Sequence, residues 1–215
     1  MNAKRLLLIQ VIIIVVVVAA GFVGYYFYHQ STQYLRTDDA QVTGQQIVIA
    51  APASGQLSSW NGTEGTQFAT GDVIGTISVP SGTRTATVNI TAPQTSTIVQ
   101  NSAVDREFVA AGTPLAYAYN LNNLWVTANI KETQINDVHV GQAVDVYVDA
   151  YPGTSFSGVV QQIGLATAST FSLLPQTNTN ANFTKVTQVI PVTIRLQTYT
   201  GQLAPGMSAT VRIHK

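Results

Sequence analysis

The sequence predicts a mainly β protein carried on one N-terminal transmembrane helix, and three observations predict it. Residues 6–28 are uncharged, with Gln10 the one strongly polar side chain among them. Beyond Gln30 helical periodicity is almost absent, while short β-branched and aromatic runs recur between Gly, Pro, Asn and Ser. Inside this β-rich region, a pair of stretches repeat each other at an offset of 41 residues. Ala51-Pro52 precede Gly71 as Ala92-Pro93 precede Gly112, and apolar residues coincide between these marks: Ile47 with Val88, Ile49 with Ile90, Leu57 with Ile98, Phe68 with Val109, Ile74 with Leu115.

The helix comes first. Its apolar run, at about 1.5 Å per residue, has the length needed to cross a hydrocarbon core. Ile and Val fill residues 11–18, and Tyr25, Tyr26 and Tyr28 stand where an interfacial aromatic belt belongs. Lys4 and Arg5 precede the run and the next firm positive charge is Arg36. That asymmetry puts the N-terminus in the cytoplasm and the C-terminal remainder outside, as a single-pass protein of the cell membrane. The competing reading is a cleaved signal peptide cut near Ala19, Ala20 and Gly21. The apolar run continues past that point to Phe27, which favours an uncleaved anchor.

The repeat comes next. Strands of four to six residues leave an open apolar face that one copy cannot bury alone, so the two copies must clasp face to face. Strands are predicted at residues 46–50, 73–79 and 86–91, with residues 79–85 joining the halves as a loop. Further strands at 125–130, 143–149, 156–163, 186–196 and 208–213, with residues 37–43 leading in, form a second module. Residues 132–138 read as a helical turn stopped before Gly141, and 167–182 as a long irregular segment.

Composition narrows the function. Charged residues make up 9% of the chain, against about 25% in ordinary globular proteins. Ten basic residues balance ten acidic ones without clustering, so the footprint of a nucleic-acid binder is missing. The absence of cysteine excludes thiolate metal sites, disulfides and a Cys nucleophile. No Ser-His-Asp set, phosphate loop or framed carboxylate pair is present, so an enzyme is not expected. His29, His139 and His214 are too scattered for a metal cluster and read as surface or structural residues.

A family resemblance rests on several motifs. The half-units, each with an Ala-Pro start and a Gly-Asp or Gly-Thr turn, resemble the split biotinyl-lipoyl domain of membrane fusion proteins. Thr37-Asp38-Asp39-Ala40 and Leu124-Trp125-Val126-Thr127-Ala128-Asn129-Ile130-Lys131-Glu132-Thr133-Gln134 are similar to the HlyD-like, EmrA-type efflux adaptors. So are Asp149-Ala150-Tyr151-Pro152-Gly153, Phe171-Ser172-Leu173-Leu174-Pro175 and Pro205-Gly206-Met207-Ser208, in order as well as content. The resemblance implies a cytoplasmic tail (1–5), an anchor helix (6–28), a linker and first barrel strand (29–46), a lipoyl-like or barrel-sandwich hybrid domain (47–118) and a β-barrel domain (119–215). It implies a homo-oligomer beside a multi-span exporter of the major facilitator type, in multidrug efflux or secretion. The family usually carries a long coiled-coil hairpin between the lipoyl halves. Here residues 79–85 take its place, so the chain resembles a short form, and docking to an outer-membrane duct is not expected.

A lipoyl-like fold also invites a covalent carrier role, yet Lys4, Lys131, Lys185 and Lys215 all lie away from the joining loop, so no cofactor is expected. Asp38 and Asp39 offer too few oxygen ligands for a cation and read as a strand-entry or interface feature. Lys131, Glu132 and Gln134 are solvated groups around a turn or contacts to a neighbouring protomer or transporter. Phe171, Leu173 and Leu174 are apolar side chains in a polar segment, tucked in or offered to a partner. Trp125 is expected in the core. The alternative functions are a structural or adhesive cell-surface β protein, or an accessory factor of an ATP-driven peptide exporter.

Overall fold

The computed structural model describes residues 3–81, 84–171, 187–197, 199 and 203–215. Helix α1 spans Ala3–Gln33, and the long strand β1, Tyr34–Ala50, follows it without a loop. The helix runs past the predicted end at residue 28 because no Gly or Pro interrupts residues 29–33. It stops where the Lys215 N–H takes the Gln33 carbonyl at 3.0 Å. The side chains described on α1 are those of Ile12–Tyr26 and Gln33, and all are exposed. Among the described residues no helix is long and apolar enough to cross a membrane.

The chain forms two compact units. One comprises Gln41–Val126 with Tyr199–Ser208. It holds the end of β1, then β2 (Gly55–Trp60), β3 (Gln67–Phe68), β4 (Val73–Ser81), β5 (Arg84–Thr91), β6 (Ser96–Asn101), β7 (Phe108–Val109) and the opening stretch of β8 (Pro114–Lys131). One sheet has the order β5-β4-β2-β7, while in the other β1 pairs β8, β8 pairs β6 and β6 pairs β3. Shifted by the repeat offset, β2 falls on β6, β3 on β7, β4 on the start of β8 and the end of β1 on β5. The two sheets are therefore copies of each other, and the pairing order of one reproduces that of the other.

Backbone hydrogen bonds repeat in the same way, and several are exchanged between the copies. Gly71 N donates to Ala92 O and Gly112 N to Ala51 O, both at 2.8 Å. Ala92 N donates to Asp72 O and Ala51 N to Thr113 O, both at 2.9 Å. Gly65 N donates to Ile98 O at 2.8 Å, and its counterpart Arg106 N to Leu57 O at 2.9 Å. Between the sheets lies one core drawn from both copies, with Ile49, Leu57, Ile74 and Ile77 meeting Ile90, Ile98, Val109 and Leu115. Each such buried side chain contributes about 1.5–3 kcal/mol relative to exposure, which neither copy could gain alone.

The connection between the halves differs from the loop expected at residues 79–85. Strand pairing continues through Pro80↔Thr85 to Ser81↔Arg84, so β4 and β5 form a hairpin with two residues between them. Pro80 is tolerated there because β2 leaves β4 at Gln56↔Ser78, and beyond that point no neighbour needs its missing N–H.

The other unit comprises Met1–Ala40, Thr127–Thr198 and Ala209–Lys215. It contains a 3-10 turn at Glu132–Asp137, β9 (Ala143–Val148), β10 (Ser155–Ile163), a 3-10 turn at Ala168–Phe171, β11 (Val189–Leu196) and β12 (Ser208–His214). The order β1-β12-β9-β10-β11-β8, completed by a β1–β8 pairing, closes a six-stranded ring. Closure removes free edges, and alternate residues fill the inside. Val144, Val146 and Val148 on β9 face in, as do Ala209, Val211 and Ile213 on β12. Val146 sits opposite both Phe156 and Val211.

Candidate interaction surfaces and a cleft

Strand alternation decides which of the sequence-selected residues reach the surface. Leu124 and Val126 are buried, so Trp125 between them faces the other side of β8 and is only half-buried. The core reading of Trp125 is corrected by the period of two along a strand.

Asp38 and Asp39 lie exposed on β1. Asp39 Oδ1 accepts from Asn129 Nδ2 at 3.1 Å. The Thr37 hydroxyl donates to the Asn129 carbonyl at 3.1 Å and accepts from the Asp39 N–H at 3.2 Å. These bonds stitch β1 to β8 where β1 enters the barrel. The contribution of Thr37 and Asn129 escapes sequence reading, since nothing local in either signals a partner ninety residues away.

Lys131 ends β8 and is exposed, as are Glu132 and Gln134 in the 3-10 turn that follows. Glu132 N donates to Gln188 O at 3.0 Å, which ties the start of that turn to the residues before β11. Phe171 closes the turn at Ala168–Phe171, but its side chain lies outside the described residues, as do Leu173 and Leu174. Among the described residues no group of three or more His, Cys, Asp or Glu could hold a metal. His214 instead meets Asp145 at 2.9 Å and stands edge-on to Tyr34 with ring centroids 4.8 Å apart.

A feature that sequence reasoning missed lies within the repeat-containing unit. A cleft of about 490 Å³ is lined by β1 at Gln41–Gly44 and Gln46, by Val99, Gln100, Tyr117 and Tyr119, and by the turn Ala204–Gly206. Tyr117 and Tyr119 alternate with Ala116 and Ala118, whose side chains are fully buried in the core. Gln100 stands opposite Tyr117, and an irregularity in β6 between Ile98 and Gln100 leaves Val99 exposed. The turn is held by Val42 N to Met207 O and Gly206 N to Val42 O, each 2.8 Å, and by Gln41 Nε2 to Gly206 O at 3.1 Å. Gly44 makes room: a Cβ there would stand 3.2 Å from Tyr119 Cδ1 and 2.7 Å from Leu124 Cδ2. None of the lining residues is charged.

Comparison with known proteins agrees with this architecture. Residues 45–120 match the model of the YhbJ barrel-sandwich hybrid domain, and residues 123–215 that of the CusB-like β-barrel domain. The chain is 44% identical over 213 residues to a protein of Bacillus subtilis described as "Putative efflux system component YhbJ", covering 99% of this chain and 94% of that one. It is 36% identical over 108 residues to the multidrug export protein EmrA of Escherichia coli, which is 50% of this chain but 28% of EmrA. The solved structure of the periplasmic adaptor protein EmrA superposes with a TM-score of 0.56 at 12% identity, over 85% of this chain and 99% of that chain. With both β modules present and a hairpin of two intervening residues where a coiled coil is usual, the chain belongs to the HlyD-like, EmrA-type membrane fusion proteins, the efflux adaptors, as a short form.

Proposed function

We propose that this chain is the membrane-anchored adaptor subunit of a multidrug efflux or secretion system, assembled as a homo-oligomer on the outer face of a cytoplasmic-membrane exporter of the major facilitator type. The observation that carries the reading is likeness to an efflux component along 99% of the chain, through both β modules and the N-terminal helix. Anchoring is supported by the uncharged run of residues 6–28 in the sequence, which at about 1.5 Å per residue matches the thickness of a hydrocarbon core. Ile12 to Val18, Phe22 and Tyr25 stand 52–73% exposed, an apolar surface that lipid would cover.

The mechanism is physical rather than catalytic. The helix packs in the bilayer beside the exporter, barrel surfaces pair protomers, and the lipoyl-like domain shapes the exit path. On this reading the tail is 1–5, the anchor 6–28, the linker and first barrel strand 29–46, the lipoyl-like domain 47–118 and the barrel 119–215. Asp38, Asp39, Lys131, Glu132, Gln134, Phe171, Leu173 and Leu174 serve contacts to a neighbouring protomer or another partner. Without a coiled-coil arm the assembly has no reach toward an outer-membrane channel.

Deleting the gene is expected to sensitise cells to exported compounds, and the tagged protein is expected to bring a multi-span exporter with it from gently solubilised membranes. Unchanged drug sensitivity together with no co-purified exporter would reject the proposal.

A further inference from the structure

We infer that the cleft beside β1 is a binding site for planar, uncharged aromatic amphipaths. Its volume of about 490 Å³ falls inside the range of about 300–1,000 Å³ typical of small-molecule sites. The lining excludes other ligand classes. With no Lys, Arg, His, Asp or Glu on it, a charged ligand would be desolvated without a counter-charge. A purely aliphatic ligand would leave the Gln46 and Gln100 amides without partners. Tyr117 and Tyr119, two residues apart on β8, have Cα atoms about 6.8 Å apart. Being on one face of the strand, both line the cleft, so an aromatic ligand has two rings to pack against.

The cleft is built rather than left over. Three hydrogen bonds hold its turn, Gly44 gives Tyr119 space to lie against β1, and the irregularity in β6 turns Val99 toward the opening. That such ligands are exported compounds rests on the adaptor reading, whereas the binding itself does not.

The test is equilibrium dialysis of the full chain in detergent micelles against 2-naphthol, a neutral planar phenol, with empty micelles as blank. One saturable site per chain is expected. Gln46→Trp places an indole in the mouth of the cleft from an exposed position, and Tyr117→Ala removes one wall. Each is expected to weaken binding about tenfold or more, with the β-sheet circular dichroism unchanged for Gln46→Trp. Gln67→Trp, exposed but off the cleft, is expected to leave binding unaltered. Absence of a saturable site, or a site that survives both Gln46→Trp and Tyr117→Ala, overturns the inference. Either result leaves the adaptor reading intact, because that is judged by drug sensitivity and exporter co-purification.

Discussion

In the first copy of the repeat Trp60, Thr63, Gly65 and Gln67 stand where the second has Asn101, Val104, Arg106 and Phe108. Yet Gly65 and Arg106 both adopt positive φ, +85° and +66°, and each donates its N–H to the opposite copy. Inside, the pairs stay alike: Leu57 with Ile98 and Ile74 with Leu115 are each at most 1% exposed. The sandwich therefore constrains its turns and its buried residues and leaves the surface of each copy free to differ. Surface differences between the copies, such as Phe108 at 67% exposure where the sister position holds an exposed Gln67, are not required by the fold. Trp60 and Asn101 even bond to each other, Nε1 to Oδ1 at 2.9 Å, so divergence has turned equivalent positions into partners.

The hardest way to break the equivalence is through the shared core. Leu57→Ala and Ile98→Ala are each expected to cost about 2–5 kcal/mol, from lost burial and an unfilled cavity. The measurement is the denaturant midpoint of the repeat-containing unit in the full chain. A cost below about 1 kcal/mol at one position beside a large one at the other would mean that the copies do not share the core equally.

A smaller effect tests the turns. Gly71 and Gly112 hold φ at +88° and +84°, and a Cβ at either would meet nothing within 4 Å. Alanine at either position therefore suffers only the backbone penalty, about 1–2 kcal/mol, and the two values should agree. Thermal unfolding of the two single variants and the double variant checks this, with additivity expected if each turn acts separately.

The repeat is legible because what it conserves, apolar spacing and turn glycines, is written locally in the residues. The same logic explains what sequence reading misses. Gly55–Trp60 and Ser96–Asn101 escape prediction as strands because Ser, Gln and Asn weaken their β signal, and neighbours on both sides hold them in place. Strand β8 runs unbroken through Asn120-Leu121-Asn122-Asn123, although Asn is depleted in strands. The Tyr199 hydroxyl helps to keep it extended, accepting from Leu124 N at 2.8 Å and donating to Leu121 O at 2.9 Å. Of the candidate surface, Asp38 and Asp39 are found from motif, but the Asn129 contact that fixes Asp39 depends on pairing ninety residues apart. The cleft is invisible for the same reason, since β1, β6, β8 and the 204–206 turn meet only in the folded chain.

The smallest expected effect is the most informative, because it should change sign between the copies. Gly65 has open space around its missing Cβ, so Gly65→Ala adds only left-handed strain and should destabilise by about 1 kcal/mol. Arg106 already bears that strain at φ +66°, and Arg106→Gly removes it. Glycine also gives the unfolded chain more freedom, which offsets some of the gain, leaving a net stabilisation of about 0.5 kcal/mol or less. Both are read as shifts in melting temperature of the full chain, downward for Gly65→Ala and slightly upward for Arg106→Gly. If Arg106→Gly instead lowers stability, the Arg106 side chain makes a contact worth more than its backbone strain, and the second copy's tip is held by its side chains rather than by the turn alone.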